Sequence, residues 1–316
     1  LEKILQVTAS ITGSAFPAFF HLNQATNCAK YHSNIIVTFL TFTVEGKKMS
    51  YEFLKIKIEN GVGIITLNRP PANSLNKAIV AELDSAFDEI AANDNAKVLV
   101  INSEIPGFFI AGADIKMFTQ MTAYDAWEIS GELQRVNQKL EDMPKLTIAA
   151  LGGYALGGGL ELAMACDFRF MAESVTIKDK TKVPTLGLPE TTLGILPGAG
   201  GTVRLARLLG TKQALYFIAT AKNITPQEAL DLGIVQQLMA GDELNAKTIA
   251  FAEKMASKAV IGIAQAKKAI YKGYDQDTAT AMQIEQDAFM KAFASDDATE
   301  GLNAFVEKRP AVFQGK

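Results

Sequence analysis

From Phe53 to Ile58 apolar and polar residues alternate with the period of a half-buried strand. Asn60-Gly61 then gives a hairpin signal, and Val62–Leu67 reads as the second strand. The loop Asn68-Arg-Pro-Pro-Ala-Asn-Ser74 breaks this pattern, after which Leu75–Ala92 takes helical spacing. Lys97–Asn102 is a short apolar strand closed by a Pro106-Gly107 turn, and Phe108–Ala113 leads into Asp114–Phe118. Ala123–Glu141 is helical in period, with Trp127, Leu133, Val136 and Leu140 as its expected core face. After Pro144 come the strand Leu146–Leu151, a glycine-rich turn, a short apolar helix and the strand Phe168–Ala172. Strands alternating with helices predict an α/β arrangement. Residues 174–184 are polar and predict an exposed excursion; a glycine-punctuated stretch, 186–201, then leads into a helix over Thr202–Leu209. A Pro-started helix from Thr225 ends at Gly233, and the spacing is helical from about Glu243 onward, a helical appendage to an α/β core.

Residues 1–48 have neither period, and their longest apolar run, Ile35–Phe42, is too short to span a bilayer. They also make a poor secretory signal, with a barely basic start and no clear cleavage site. Codons for Glu45-Gly46-Lys47-Lys48 can read as a purine-rich ribosome-binding site ahead of Met49, so translation is expected to begin at Met49, with 1–48 as upstream-translated leader.

Composition narrows the chemistry. With 48% hydrophobic and 21% charged residues, the 316-residue chain reads as an ordinary globular protein. A net charge of −3 and no Lys/Arg-rich run argue against a nucleic-acid partner. Only Cys28 and Cys166 are present, so neither a disulfide framework nor a Cys-x-x-Cys metal motif exists, and a reducing, cytoplasmic setting is the default. Both histidines, His21 and His32, precede Met49; the remaining body must move protons with carboxylates, Tyr or Lys, and has no histidine for a metal site.

Two glutamates stand out. Glu161 follows the Gly157-Gly158-Gly159 run and sits among Leu160, Leu162, Ala163 and Met164, where it either points to solvent or is buried at a cost a purely structural role seldom justifies. The glycine run alone fits a tight strand-to-helix turn; it also fits bare N–H groups at a helix start that hold a developing negative charge. Glu190 follows Pro189 in a similar setting, which is equally the pattern of an ordinary helix N-terminus. If both converge on an apolar pocket, burial raises their pKa values and divides acid from base work between them. A second small-residue junction, Phe109-Ile-Ala-Gly-Ala-Asp-Ile-Lys116, could supply another bare N–H, the two together forming an oxyanion hole. Gly198-Ala-Gly-Gly201 is not a dinucleotide fingerprint, because Val203 occupies the third glycine position.

From about Phe53 onward the chain resembles the enoyl-CoA hydratase/isomerase (crotonase) family. The matching motifs, in order, are Asn68-Arg-Pro, Ala111-Gly-Ala-Asp-Ile115, Gly153-Tyr-Ala-Leu-Gly-Gly-Gly159 with Glu161-Leu-Ala-Met164, Gly187-Leu-Pro-Glu-Thr191, Leu193-Gly-Ile-Leu-Pro-Gly-Ala-Gly-Gly-Thr202 and Ala304-Phe-Val-Glu-Lys-Arg-Pro310. The resemblance implies a crotonase-like spiral of repeated ββα units over 49–247. A helical C-terminal region, 248–316, would mediate assembly as a homotrimer or a hexamer of two trimers.

The same resemblance implies an acyl-CoA thioester substrate and no metal or cofactor beyond the coenzyme A of the substrate. Ala113 and Gly158 match the backbone N–H groups that hold the thioester oxygen. Ala111, Ala113, Asp114, Ile115, Lys116 and Gly158 match the substrate-binding segments, and Phe305 and Lys308 the tail residues that reach a neighbouring subunit's CoA. Simple isomerases of the family commonly lack the first glutamate. With both Glu161 and Glu190, the chain is expected to hydrate trans-2-enoyl-CoA to 3-hydroxyacyl-CoA. Δ3–Δ2 isomerisation is the alternative within the family, and a non-catalytic acyl-CoA-binding or RNA-binding relative the alternative outside catalysis. Lys178-Asp-Lys-Thr-Lys-Val183 looks like an addition to the family pattern that could reshape the acyl pocket or place positive charge near CoA phosphates.

Overall fold

A computed structural model describes residues 50–316; the leader assigned to 1–48, with His21, Cys28 and His32, lies outside the described residues. β1 (Leu54–Glu59) and β2 (Val62–Leu67) pair antiparallel around Asn60-Gly61, both in left-handed conformation (φ 50° and 79°), the two-residue turn whose twist suits a hairpin. β1 alternates between buried or half-buried and exposed residues, as an edge strand with one wet face should.

The remaining strands follow a repeating plan. Each turn of the chain contributes a first strand to a large sheet and a second to a small one, then returns through helical structure. In the first turn β3 (Val98–Ser103) and β4 (Gly107–Ile110) are followed by α2 (Ile115–Phe118) and α3 (Ala123–Asp142), α1 being Lys77–Ala92. In the second, β5 (Leu146–Leu151) and β6 (Gly153–Leu156) are followed by α4 (Gly158–Ala165). In the third, β7 (Phe168–Ala172) is separated from β10 (Leu186–Gly187) by the hairpin β8 (Val175–Ile177) and β9 (Lys180–Lys182), and a 3-10 turn (Pro189–Leu193) leads to α5 (Gly201–Leu209). The large sheet has order β1-β2-β3-β5-β7-β11, with β11 at Gln237–Met239, and is parallel from β2 onward; the small parallel sheet has order β10-β6-β4. This is the expected spiral of ββα units.

The inner strands of the large sheet, β2, β3, β5 and β7, are buried on both faces, yet the period of two survives in what each face touches. Leu99, Ile101, Ala149 and Leu151 join the inner core with Ile79, Leu83 and Phe87 of α1 and Leu160 and Ala163 of α4. Val98, Val100, Ile148 and Ala150 turn the other way, towards Leu244, Ala252 and Ala256 of α8 (Leu244–Ala256). Two helices intervene after α5: α6 (Thr211–Thr220), which the sequence reading did not assign, and α7 (Pro226–Asp231), opened by a Thr225/Glu228 capping box. The C-terminal region comprises α8, which runs across the expected 247/248 boundary, α9 (Val260–Gly273), α10 (Thr278–Phe293) and α11 (Asp296–Glu307). Residues 308–316 are not helical, against expectation; they fold back so that the N–H groups of Gln314 and Gly315 donate to the Asp297 carboxylate. No helix among the described residues is long and apolar enough to cross a membrane.

One expected core residue is displaced. Val136 and Leu140 of α3 are buried, but Trp127 is 71% exposed and stacks on Tyr124. At 3.6 residues per turn Trp127 stands about 180° around α3 from Val136 and about 220° from Leu140, so helical period puts it opposite the core stripe, where the early turns of α3 overhang a pocket.

Candidate active site

Residues 72–75 run beside 111–114, held by the Ala111 N–H on Ala72 O, the Leu75 N–H on Gly112 O and the Asp114 N–H on Leu75 O. Along an extended chain successive N–H groups point to opposite sides. Since Gly112 O and Asp114 N–H both face Leu75, the N–H of Ala113 between them points away, and no protein acceptor meets it among the described residues. Asn73 fixes this loop from below: it is fully buried, and its amide donates to Phe109 O and Ser103 Oγ at 2.8 Å.

Gly157 supplies the other side. Its φ of 52° with ψ −127° is a conformation that only glycine adopts readily, and it turns the end of β6 abruptly into α4. Gly158, the first residue of α4, therefore has an N–H with no intrahelical partner. A Cβ placed on Gly157 would lie 3.6 Å from the Gly112 Cα, so the backbones that carry Ala113 and Gly158 pass close to one another.

Both glutamates converge on this junction. Glu161, in the first turn of α4, is only 3% exposed, and its Oε1 accepts from the Ala199 and Gly201 N–H groups, each at 2.7 Å. Gly201 must lack a side chain, because a Cβ there would stand 2.8 Å from that oxygen. Oε2 is left facing the junction, 3.9 Å from where a Cβ on Gly158 would be. Glu190 reaches in from the 3-10 turn: its Oε1 lies 2.8 Å from the corresponding point on Gly157, and its buried Oε2 has no hydrogen-bond partner. Burial pushes Glu161 up to about 7 against the pull of the Gly201 and Ala199 N–H groups, with Glu190 adding to the rise. Burial raises Glu190 as well.

The pocket above them has a volume of about 600 Å³, and its walls are apolar: Leu75, Ile115, Phe118, Ile129, Leu133 and Leu196 are among them. Among the described residues, Glu161 and Glu190 are its only ionisable lining residues. Ala111, Ala113, Ile115 and Gly158 also line it, as expected of substrate-contacting residues. Asp114 and Lys116 do not: Asp114 turns to Arg69 at 3.3 Å, and Lys116 is exposed. Phe305, 85% exposed, and Lys308, the left-handed C-cap of α11, also stand outside the lining. So does the extra segment 178–183, whose left-handed Lys178 and Asp179 form the tip of the β8–β9 hairpin while Val175 anchors the base in the core behind the large sheet. A larger groove, of about 970 Å³, lies where the β1–β2 turn meets α8 and α9, but its chemistry is structural: Lys145 there donates to Ile90 O and Asn93 O at the end of α1.

The family model for enoyl-CoA hydratase/isomerase matches residues 57–316. The chain belongs to this family. It is 38% identical over 269 residues to a crotonyl-CoA hydratase of Syntrophomonas wolfei, covering 85% of the chain and 100% of the relative. A short-chain-enoyl-CoA hydratase of Clostridium acetobutylicum is 36% identical over 252 residues, covering 79% and 93%. Among solved structures, an enoyl-CoA hydratase of Geobacillus kaustophilus superposes with a TM-score of 0.80 at 35% identity, covering 85% of this chain and 98% of that one. A family member with two raised carboxylates beside two unpaired N–H groups has the parts for acid–base chemistry on a thioester.

The residues that hold Glu161 in place carry little signal in the sequence. Ser130, Gln134, Asn137 and Glu141 recur along α3 at helical spacing, and all four hydrogen-bond to the Gly198–Arg204 segment, Gln134 from an exposed position. A polar stripe at that spacing ordinarily marks a solvated face; its only sequence signal was its place beside the apolar one.

Proposed function

We propose that the protein is an enoyl-CoA hydratase that adds water across the C2=C3 bond of a trans-2-enoyl-CoA. The observation that carries this reading is the pair of raised carboxylates over adjacent glycines, Glu190 at Gly157 and Glu161 at Gly158, in a pocket with no other ionisable lining residue among the described residues. The thioester oxygen sits between the Ala113 and Gly158 N–H groups, which stabilise the negative charge that develops there as C3 is attacked. Glu161, ionised, takes a proton from water as its oxygen bonds to C3. Glu190, protonated, delivers a proton to C2 as the C2=C3 π pair becomes the new C–H bond. The atoms of one water are thereby added, and a proton passing from Glu161 to Glu190 through solvent restores the starting state. The reaction balances without a metal or redox cofactor.

Ile115 and the Asp114–Lys116 segment at the pocket mouth are assigned to the CoA side of the substrate, and the apolar interior to the acyl chain. We further assign the C-terminal helices to homotrimer or hexamer contacts. Ile270, Tyr274, Phe289, Met290 and Phe293 expose large apolar surface there, and Phe305 and Lys308 are assigned to a neighbouring copy's CoA. Light scattering of the purified protein tests this assembly.

The activity test follows the loss of conjugated-thioester absorbance of crotonyl-CoA, with the Glu161→Gln/Glu190→Gln double variant beside the unmodified protein. Rapid loss in the first sample only is the expected result. No loss in either sample, with conversion of a 3-enoyl-CoA by the unmodified protein, would replace hydration by isomerisation through Glu190.

A further inference from the structure

We propose that Ser130, Gln134 and Asn137 on α3, backed by the Glu141–Arg204 pair, are positioning residues that act on Glu161 through the backbone of Gly198–Gly201. The inference rests on Glu161 being the base of the proposed reaction, and it concerns how that base is held.

The link runs through one shared peptide unit at Gly198–Ala199 and through the adjoining backbone at Ala199–Gly201. The Gly198 carbonyl accepts from Ser130 Oγ at 2.6 Å and Gln134 Nε2 at 2.9 Å. The N–H at the other end of that same peptide belongs to Ala199, and it donates to Glu161 Oε1 at 2.7 Å. The next carbonyl, Ala199 O, accepts from Asn137 Nδ2 at 3.0 Å and Arg204 Nη1 at 3.2 Å. Arg204 is in turn held by Glu141, an ion pair buried on both sides. Spacings of four, three and four residues place Ser130, Gln134, Asn137 and Glu141 on one face of α3. That face is laid along the segment that grips the base.

Three consequences follow. Two donors on the Gly198 carbonyl fix the plane of the peptide and polarise it, which strengthens the N–H bond it makes to Glu161. With Oε1 committed to two N–H groups, the carboxylate cannot rotate, and Oε2 is the oxygen left for water. The same N–H groups, with the Arg204 charge, oppose the desolvation that would otherwise keep Glu161 protonated. The α3 face thus sets both the aim and the charge of the base, although Gln134, Asn137 and Glu141 stand outside the pocket lining.

The test uses the full chain with Ser130→Ala/Gln134→Ala, Asn137→Leu and Ser130→Thr. Thermal melting confirms the fold of each, and the exposed position of Gln134 favours folding of the first. Two quantities are read. One is the steady-state kinetics of crotonyl-CoA hydration against pH; the other is the infrared carboxyl band that Glu161→Gln removes, titrated in ligand-free protein. The expected result for the double variant and for Asn137→Leu is a kcat lowered about tenfold or more with KM within about twofold. The acid limb of the profile and the carboxyl titration should both move to higher pH by about half a unit or more, because the N–H groups that hold the ionised form are less polarised and less firmly placed. Ser130→Thr, which keeps the hydroxyl, should restore both. A loss of activity with an unmoved titration would mean that α3 only supports packing, and would overturn the proposal; so would unchanged kinetics and titration together. The infrared titration needs no turnover, so an inactive protein whose Glu161 band still moves would fail the hydratase reading and leave the positioning intact.

Discussion

Replacing Glu161 by glutamine separates catalysis from stability at one buried atom. The amide oxygen of glutamine can take the place of Oε1 and accept from Ala199 and Gly201 as before, while the NH₂ replaces the oxygen that faces the pocket. Only the ability to accept a proton from water is lost, and removal of a general base costs about 10²–10⁴-fold, or roughly 3–5 kcal/mol of transition-state stabilisation. Stability moves in the opposite direction. Folding raises the Glu161 pKa from 4.5 to about 7, so the folded state favours the protonated form. Its contribution is fully present below pH 4.5 and is lost as pH rises through 7. The loss corresponds to about 3 kcal/mol at ~1.4 kcal/mol per pH unit. Glutamine is neutral at every pH and escapes it, so the variant should melt roughly 6–10 °C above the unmodified protein at about pH 8 and level with it near pH 4. Crotonyl-CoA turnover and calorimetry at the two pH values check both halves. A variant that keeps more than about a tenth of the activity would refute Glu161 as the base, and one that melts lower at alkaline pH would refute the cost of its burial.

Three further outcomes are expected. The kcat/KM for crotonyl-CoA should climb with pH through a midpoint near 7 as Glu161 ionises, and a profile flat between about pH 5.5 and 8 would contradict the assignment. Gly157→Ala should lower kcat by about a hundredfold, because the residue has φ 52° and its methyl group would meet Glu190 Oε1 at 2.8 Å; kinetics with a melting control would show whether the damage is confined to the site. An enoyl-CoA whose acyl chain ends in a carboxylate should react with a kcat/KM at least about a hundredfold below its hydrocarbon counterpart, since the apolar lining offers no cation to offset desolvation, and equal rates for the two substrates would show that a cation reaches the pocket from elsewhere.

The hairpin at 178–183 illustrates the limit of reading spacing alone. Its position in the chain, shortly before Glu190, left open a role at the acyl pocket. In the folded protein β8 and β9 pair with each other and stand outside the pocket lining, so nearness in sequence became no contact with the site. Trp127 is apolar, but its helical phase is opposite to that of Val136 and Leu140, so it stays exposed beside the pocket.

The strands β1, β2, β3, β5 and β7 of the large sheet, the helices α1, α3, α4, α5 and α7, the Asn60-Gly61 hairpin and the choice of Glu161 and Glu190 were legible in the residues themselves, because alternation, turn chemistry and a carboxylate set among apolar neighbours are local properties; β6, β8, β9, β11 and α6 were not. Family motifs added the spiral and the two amide donors. Only the tertiary structure decided that Glu190 and Glu161 meet over Gly157 and Gly158, that Oε1 of Glu161 is gripped by a segment about forty residues away, and that a polar stripe on α3 hydrogen-bonds to that segment. Those facts depend on which surfaces the spiral brings together, and a pKa near 7 exists only once the water around a carboxylate has been removed by residues distant in the chain.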